Sequence, residues 1–454
     1  MRWLLTALTL VVSIAPSPAG ATPDRIDAIV ASQMKISDIP GAAVAVIQRG
    51  RVTKIKGYGL ANLEWSAPTD TDTRFQLASA TKIFTGVLLM RLVERGAVSL
   101  DDPLTRWFPD APQSWASIRV RQLANHTSGL SDNLGADRPK TLDGIVKAAM
   151  AAPLAYQPGT EARYGFTDFA ILRAVLEKAS GLSLPALLDR EIAKPLALRS
   201  TGFAMATEDG NVRMADVILR RAGVYGLRDG KIVTSDFFFA PQGYGAGGLY
   251  SSVADLAAFF VAIDQGRLLK RSSLIALETP AALPNGKTSG FGVGWVARNY
   301  RGIAVVGHSG GPALADIIRI EDRQLTVIVL TNQQIFYPLI AEAVLDTMVP
   351  TSAAETPLMD DRPLLVARLK RAIDASAAGD DAADEFATAG ASSRDALRSP
   401  FTRAMLRGIG ALQSVDYLGE APGGRRYRLT FTRKTMIWVA TGDSDGRIIA
   451  LAPE

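Results

Sequence analysis

The chain has 454 residues, a net charge of +5 and 48% hydrophobic residues, enough apolar content for one large domain or two ordinary ones. It contains no cysteine and only two histidines, which excludes disulfides, a thiol nucleophile and cysteine-ligated metals and leaves little for a histidine metal site. Its 50 Lys and Arg against 45 Asp and Glu are spread along the chain, with no basic run of the kind that binds nucleic acid.

In chain order, Arg2, the apolar run Trp3 to Ala15 and the small residues Ala19-Gly20-Ala21 form a signal-peptide pattern over residues 1–21, too short to span a bilayer. An exported protein, periplasmic or secreted and not integral to the membrane, is therefore expected. A short helix from Asp24 to Met34 precedes GAAVAVIQ and VTKIKGYGLANL, two strands paired through a turn at Arg49-Gly50-Arg51. LASATKIFTGVLLMRLVERG then reads as a helix, apolar nearly all round and hence buried.

The stretch from about Leu100 to Pro280 is mainly helical with Pro/Gly-rich loops. FAILRAVLEKASG ends at Gly181, and SSVADLAAFFVAIDQG opens with a capping box, Ser252 to Asp255. Strands return as FGVGWVAR, GIAVVGHS, ADIIRI and LTVIVLTN, followed by a helix at about Leu339 to Met348. Strand signals at both ends with helices between predict an antiparallel sheet built from both termini, with a helical insertion. PTSAAETP reads as a linker over 350–357, and 358–454 as a small α+β accessory module after a main domain of 22–349. Its cluster Arg425, Arg426, Arg428, Arg433 and Lys434 reads as a solvated face.

Which residues carry chemistry? Gly307-His308-Ser309-Gly310-Gly311 spells the G-x-S-x-G nucleophile elbow, but Pro312 and a β-like run follow it where a helix should, and no histidine lies downstream. A serine activated by lysine is the remaining arrangement. Ser-x-x-Lys occurs twice, at Ser32/Lys35 and Ser79/Lys82. Lys35 lies on a polar helix, where it stays solvated and protonated. Lys82 sits on the buried helix on one face with Ser79, where burial lowers its pKa toward that of a general base. A capping serine beside a snorkelling lysine would look the same, so the motif alone leaves both readings open.

FQLASATKIFTG, VRQLANHTSGL, YQPGTEARYGFTDFAIL, GAGGLYSSVADLAAF, FGVGWV and GHSGG, in this order, resemble the landmarks of the serine β-lactamase and penicillin-binding-protein superfamily, in particular class C-like β-lactamases with their DD-peptidase, D-aminopeptidase and esterase relatives. The resemblance covers about Asp24 to Met348. It implies an α+β fold, an α/β sandwich with an antiparallel sheet and a helical subdomain, and a serine hydrolase without metal or cofactor.

The resemblance makes Ser79 the acylated nucleophile and Lys82 its activating partner. Tyr164 becomes the proton carrier, as tyrosinate or as a hydrogen-bonded relay, and His308 the substrate-facing residue of an H-x-G box. It gives the oxyanion hole to the amides of Ser79 and Gly311, and substrate contacts to Phe166, Ser309 and Gly310. The superfamily's Tyr-x-Asn box reads Tyr164-Gly165-Phe166 here, which moves the expected substrate from amides and lactams toward esters. The leading expectation is an exported, esterase-like serine acyl hydrolase. Amide- or lactam-directed activity on small-molecule or peptidoglycan-derived substrates is the second, and a non-catalytic envelope protein that binds penicillin the third. Ser131-Asp132-Asn133 and Lys287-Thr288-Ser289 mimic class A boxes but lie in polar turns, and His126 reads as a structural loop residue.

Overall fold

A computed structural model describes residues 24–135, 139–209, 212–228, 230–235, 239–311, 314–334, 339–349, 355–421 and 423–453. The expected signal peptide and most of the expected linker lie outside these residues.

Helix α1 (Arg25–Ile36) is capped by the Asp24 carboxylate, which accepts from the Asp27 amide. Strand β1 (Gly41–Gln48) turns into β2 (Arg51–Asn62) through Arg49 and Gly50, both at positive φ (52° and 68°), as a tight hairpin turn requires. After the buried helix α2 (Thr81–Glu94) come α3 (Phe166–Ser180) and α4 (Val253–Asp264). The chain then adds β3 (Val296–Tyr300), β4 (Ile303–Gly310), β5 (Ala315–Ile320) and β6 (Leu325–Thr331). The sheet order is β3-β4-β5-β6-β1-β2, closed by the two-residue strand Ala67–Pro68, with antiparallel pairing throughout. The two chain ends thus meet at the β6–β1 pair, and the expected α+β architecture is the observed one.

The period-2 alternation of strands sorts the sheet's side chains into two layers. Ala43, Ala45 and Ile47 of β1 join the front core with α2, α3 and α4, while Val44 and Val46 join the back core with α1 and α5 (Leu339–Leu345). Alanines on the front face let α4 pack directly on β1.

Three readings are revised. The middle region carries two small hairpins, Ala206–Asp209 with Val212–Ala215 and Tyr225–Arg228 with Lys231–Thr234, beside its helices. The FGVGWV stretch is not strand before Val296. Gly292 and Gly294 cross α2 and its neighbours so closely that a Cβ would lie 2.0 Å from the Leu277 carbonyl oxygen or 2.6 Å from that of Lys82. Ser252 caps α4 as expected, but Asp255 does not reciprocate; its carboxylate accepts from the Ser200 amide (2.6 Å) and the Thr201 hydroxyl (2.8 Å).

At the C-terminal end, α6 (Pro363–Ala378) and α7 (Pro400–Ile409) pack on a four-stranded antiparallel sheet, β7 (Leu412–Ala421), β8 (Gly424–Phe431), β9 (Thr435–Gly442) and β10 (Ile448–Pro453). Its arginines do not form a free cationic face. Arg425 pairs with Asp360, Asp361 and Glu420, Arg426 with Glu355, and Arg428 with Asp416. Lys434 is largely buried and pairs with Glu342 of α5, which Arg298 also reaches at 3.0 Å. The back core continues without a break from Val44, Ile318 and Val344 into Leu369, Leu406 and Trp438.

Candidate active site

Ser79 lies in a one-turn 3-10 helix, Ala78–Ala80, that runs into α2. The residue before it, Ala78, is held at φ 46°, a left-handed conformation costly for a side-chain-bearing residue and typical of functional turns. Strand β4 presses on this turn from the sheet side. A Cβ at Gly310 would stand 2.0 Å from the Leu77 carbonyl oxygen, so the H-x-G glycine is a requirement of close approach.

Lys82 occupies the first turn of α2 and is 3% exposed. Its Nζ donates to the Ala246 carbonyl at 2.7 Å and lies over the rings of Tyr164 (4.7 Å) and Phe169 (5.1 Å). Burial lowers its pKa to about 7 against the opposing pull of Asp132 and Asp168. Tyr164 shares a hydrogen bond with Ser79, yet burial raises its phenol to about 12, with Asp132 adding to the rise. A raised phenol beside a lowered lysine favours the relay option over the tyrosinate. The relay option keeps its geometry.

His308 on β4 faces the same side, its ring centroid 6.0 Å from that of Tyr164. Its Nδ1 lies 2.6 Å from the Ser309 carbonyl, and burial together with the Lys82 charge lowers its pKa to about 3. Ser309 alternates to the opposite face, where its hydroxyl donates to Asp316 Oδ1 at 2.7 Å. The expected substrate contact from Ser309 is thus not made by its side chain, because strand alternation turns the hydroxyl away from Ser79. Gly311 follows the last residue of β4, with open space where a Cβ would lie. Phe166 opens α3, and its ring packs on the front core, where a Cβ added at Gly243 would lie 3.4 Å from it.

Two supports were not read from the sequence as part of the site. Asp132 accepts from the amides of Phe166 (2.8 Å) and Thr167 (2.7 Å), satisfying the start of α3 directly after Tyr164. His126, at φ 59°, lies under Tyr164 with ring centroids 4.7 Å apart. Burial raises the Asp168 carboxyl well above its usual range and lowers His126 to about 3, and the two lie 2.9 Å apart. The Ser128 hydroxyl also donates to Asp168, which joins the HTSGL loop to α3. A polar recess of about 320 Å³ bordered by Gln33, Arg301, Asp346 and Arg433 lies at the back of the sheet, away from this constellation.

The Beta-lactamase family model matches residues 26–343, well over half of the chain. The chain belongs to the β-lactamase family. This is a family of serine hydrolases with esterase, amidase and penicillin-binding relatives. Esterase EstB of Burkholderia gladioli is 32% identical over 223 residues, 44% of this chain and 57% of the esterase, so the chain spans less than two thirds of that relative. The D-amino acid amidase of Ochrobactrum anthropi SV3 superimposes with a TM-score of 0.60 at 25% identity, over 71% of this chain and 98% of the amidase. The octameric penicillin-binding protein homologue from Pyrococcus abyssi shares the fold over 93% of this chain and 91% of its own, with a TM-score of 0.61 at 21% identity. That likeness extends the shared fold into the C-terminal part.

Within the β-lactamase fold, Ser79, Lys82, Tyr164 and His308 converge on one face; of the decoys, the Ser131-Asp132-Asn133 turn reaches this neighbourhood through Asp132, and the two lysine-bearing ones fall elsewhere. Lys287 is in the turn after Asn285, whose side chain accepts its amide at 3.0 Å, and Lys35 ends α1 on the far side of the sheet. The signal for Asp132 was present, an acidic residue in a loop ahead of the Y-G-F-T helix start. Its reach across more than thirty residues leaves no local pattern in the sequence.

Proposed function

We propose that this protein is an esterase-like serine acyl hydrolase working through a Ser79 acyl-enzyme. The observation that carries the reading is Lys82: a buried amine near pKa 7, on the helix turn that bears Ser79 and under the tyrosine bonded to Ser79. A neutral lysine accepts the Ser79 proton at neutral pH, which an ordinary ammonium cannot do. Ser79 Oγ then bonds to the substrate carbonyl carbon, and the carbonyl π-electrons move to oxygen, which faces the amides of Ser79 and Gly311. Collapse breaks the bond to the leaving group. Tyr164 passes its phenolic proton to the leaving-group oxygen and is reprotonated from Lys82. Water then attacks the acyl-enzyme by the same route in reverse, returning Ser79.

Ester preference rests on Phe166, which offers no amide to a peptide or lactam side chain. The likeness to a D-amino acid amidase supports the amide-directed alternative. The N-terminal apolar segment supports export to the periplasm or medium, with small-molecule or peptidoglycan-derived acyl compounds as substrates.

A hydrolysis panel on the purified protein separates these readings: short p-nitrophenyl esters, a chromogenic cephalosporin and D-Ala-D-Ala peptides, each with wild type and Ser79→Ala. Ester turnover lost in Ser79→Ala is expected. Fast cephalosporin turnover without ester turnover reverses the preference, and ester turnover that survives the substitution removes Ser79 from the mechanism.

A further inference from the structure

The catalytic end of β4 is held by the sheet from one side only. Strand β3 pairs with β4 as far as Gly307, opposite Val296, and goes no further. Gly307 itself lies at φ 146°, an angle that regular strands do not use. Beyond it, His308, Ser309 and Gly310 pair with Ile317, Asp316 and Ala315 of β5, and no residue of β3 pairs with them on the other edge. Gly310 lies against Leu77, two residues before Ser79, and Gly311, whose amide faces the oxyanion in the mechanism above, follows at once.

At this tip one side-chain bond crosses between the strands, from the Ser309 hydroxyl to Asp316 Oδ1 at 2.7 Å. It is the one hydrogen bond of the Asp316 carboxyl among the described residues: Oδ2 is buried without a partner, and the residue is 4% exposed. Burial raises this carboxyl to about 6, against the opposing pull of Arg298 on β3, the Ser309 hydroxyl and Lys434 at the β8–β9 turn. An acceptor oxygen is present in either protonation state, so the bond adds no limb to a pH profile. A buried carboxyl costs free energy that an apolar cross-strand pair would not, so its place here calls for a use.

We infer that Asp316 is a positioning residue for the Ser79 reaction: through the Ser309 hydroxyl it fixes the one-sided tip of β4, and with it the Gly311 amide, against the Ser79 turn. The inference rests on the Ser79 reading above and adds a residue that never touches substrate. An oxyanion donor stabilises developing charge only when it is already in place, and a misplacement of about 1 Å can cost on the order of a hundredfold in rate. Pairing to β5 alone leaves the tip free to twist about that edge, and the side-chain bond removes this freedom. Ser309 thus serves the site from the face that looks away from it.

Ester kinetics of Asp316→Ala, Ser309→Ala, the double variant and Asp316→Asn test this, with urea denaturation of each. In Asp316→Ala, kcat and kcat/KM for p-nitrophenyl acetate should fall together by roughly ten- to a hundredfold with KM little changed, the pattern of a contact that matters only in the transition state. Because that variant can fail to fold, Ser309→Ala cuts the same bond by removing one hydroxyl, and the same loss is expected. The double variant should be no slower than either single one, since both remove one interaction. Asp316→Asn should restore most of the rate, because its amide oxygen still accepts from Ser309. An alanine variant that loses stability but keeps the wild-type kcat, or an Asp316→Asn as slow as Asp316→Ala, overturns the positioning role alone. Wild-type protein that turns over no ester and takes no fluorophosphonate label on Ser79 sinks the catalytic reading, and the positioning role with it.

Discussion

Three residues divide the proton chemistry, with burial the largest cause for each. Lys82 comes down to about 7, Tyr164 goes up to about 12, and His308 falls to about 3. A base must be neutral to accept a proton, so activity is lost as pH falls through the Lys82 value. The expected profile of kcat/KM for a neutral ester rises tenfold per pH unit below about 7, levels above it, and shows no separate histidine limb between pH 5 and 7. Initial rates from pH 5 to 9 check this, and an acid limb near pH 9 or above would remove Lys82 as the base. Ser79 and Lys82 could be singled out in the sequence because their spacing is local and helical, although that spacing left a capping serine and a snorkelling lysine equally open and only the resemblance assigned their roles. The electrostatic hierarchy could not, because each value depends on walls supplied by Phe169, Ala246 and Asp132, all distant in the chain.

The same contrast between local and distant holds for whole elements. Helix α2 was legible from its apolar circumference, and eleven of its residues, Lys82 among them, are buried. The β1–β2 hairpin was legible from its Arg-Gly turn. FGVGWV misled because alternating apolar residues and glycines read as strand, while its glycines serve a close crossing of α2 that only the tertiary structure imposes. Helix α3 depends on a similar long-range contact. Its N-cap position, Gly165, has no side chain, so Asp132 supplies the missing acceptor from another loop. Asp132→Ala should cost about 1 kcal/mol of stability, the usual cost of a lost cap, and lower kcat several-fold by loosening Tyr164. Asp132→Asn should recover most of the stability. Urea denaturation with parallel ester kinetics tests both, and an Ala variant of unchanged stability and kcat would show that α3 starts without this carboxylate.

Over the whole molecule, the sequence divides at the Pro/Thr/Ser-rich stretch after position 349, yet the described residues on either side share one buried cluster. Val44 and Ile318 of the large sheet, Val344 of α5 and Trp438 of β9 belong to it, and Lys434 reaches Glu342 across the junction. Such a continuous core predicts one cooperative unfolding transition for the full chain. Lys434→Ala should cost about 2 kcal/mol, less than the ~3–5 kcal/mol of a fully broken buried pair because Arg298 still reaches Glu342. Calorimetry and urea titration are the checks; two separated transitions, with the first alone moved by the substitution, would mean that the cores unfold independently. The basic cluster looked solvated in sequence because its acidic partners, Glu355, Asp360 and Asp416, are scattered along the chain.

Covalent labelling tests the central claim most directly. Of the serines in hydrolase-like motifs, Ser32, Ser79, Ser131 and Ser309, only Ser79 is proposed as the attacking one. A fluorophosphonate applied to the native protein and mapped by peptide mass spectrometry should modify Ser79, with no label on Ser309 and none anywhere in Ser79→Ala. Label on Ser309, or labelling that persists in Ser79→Ala, would contradict the account.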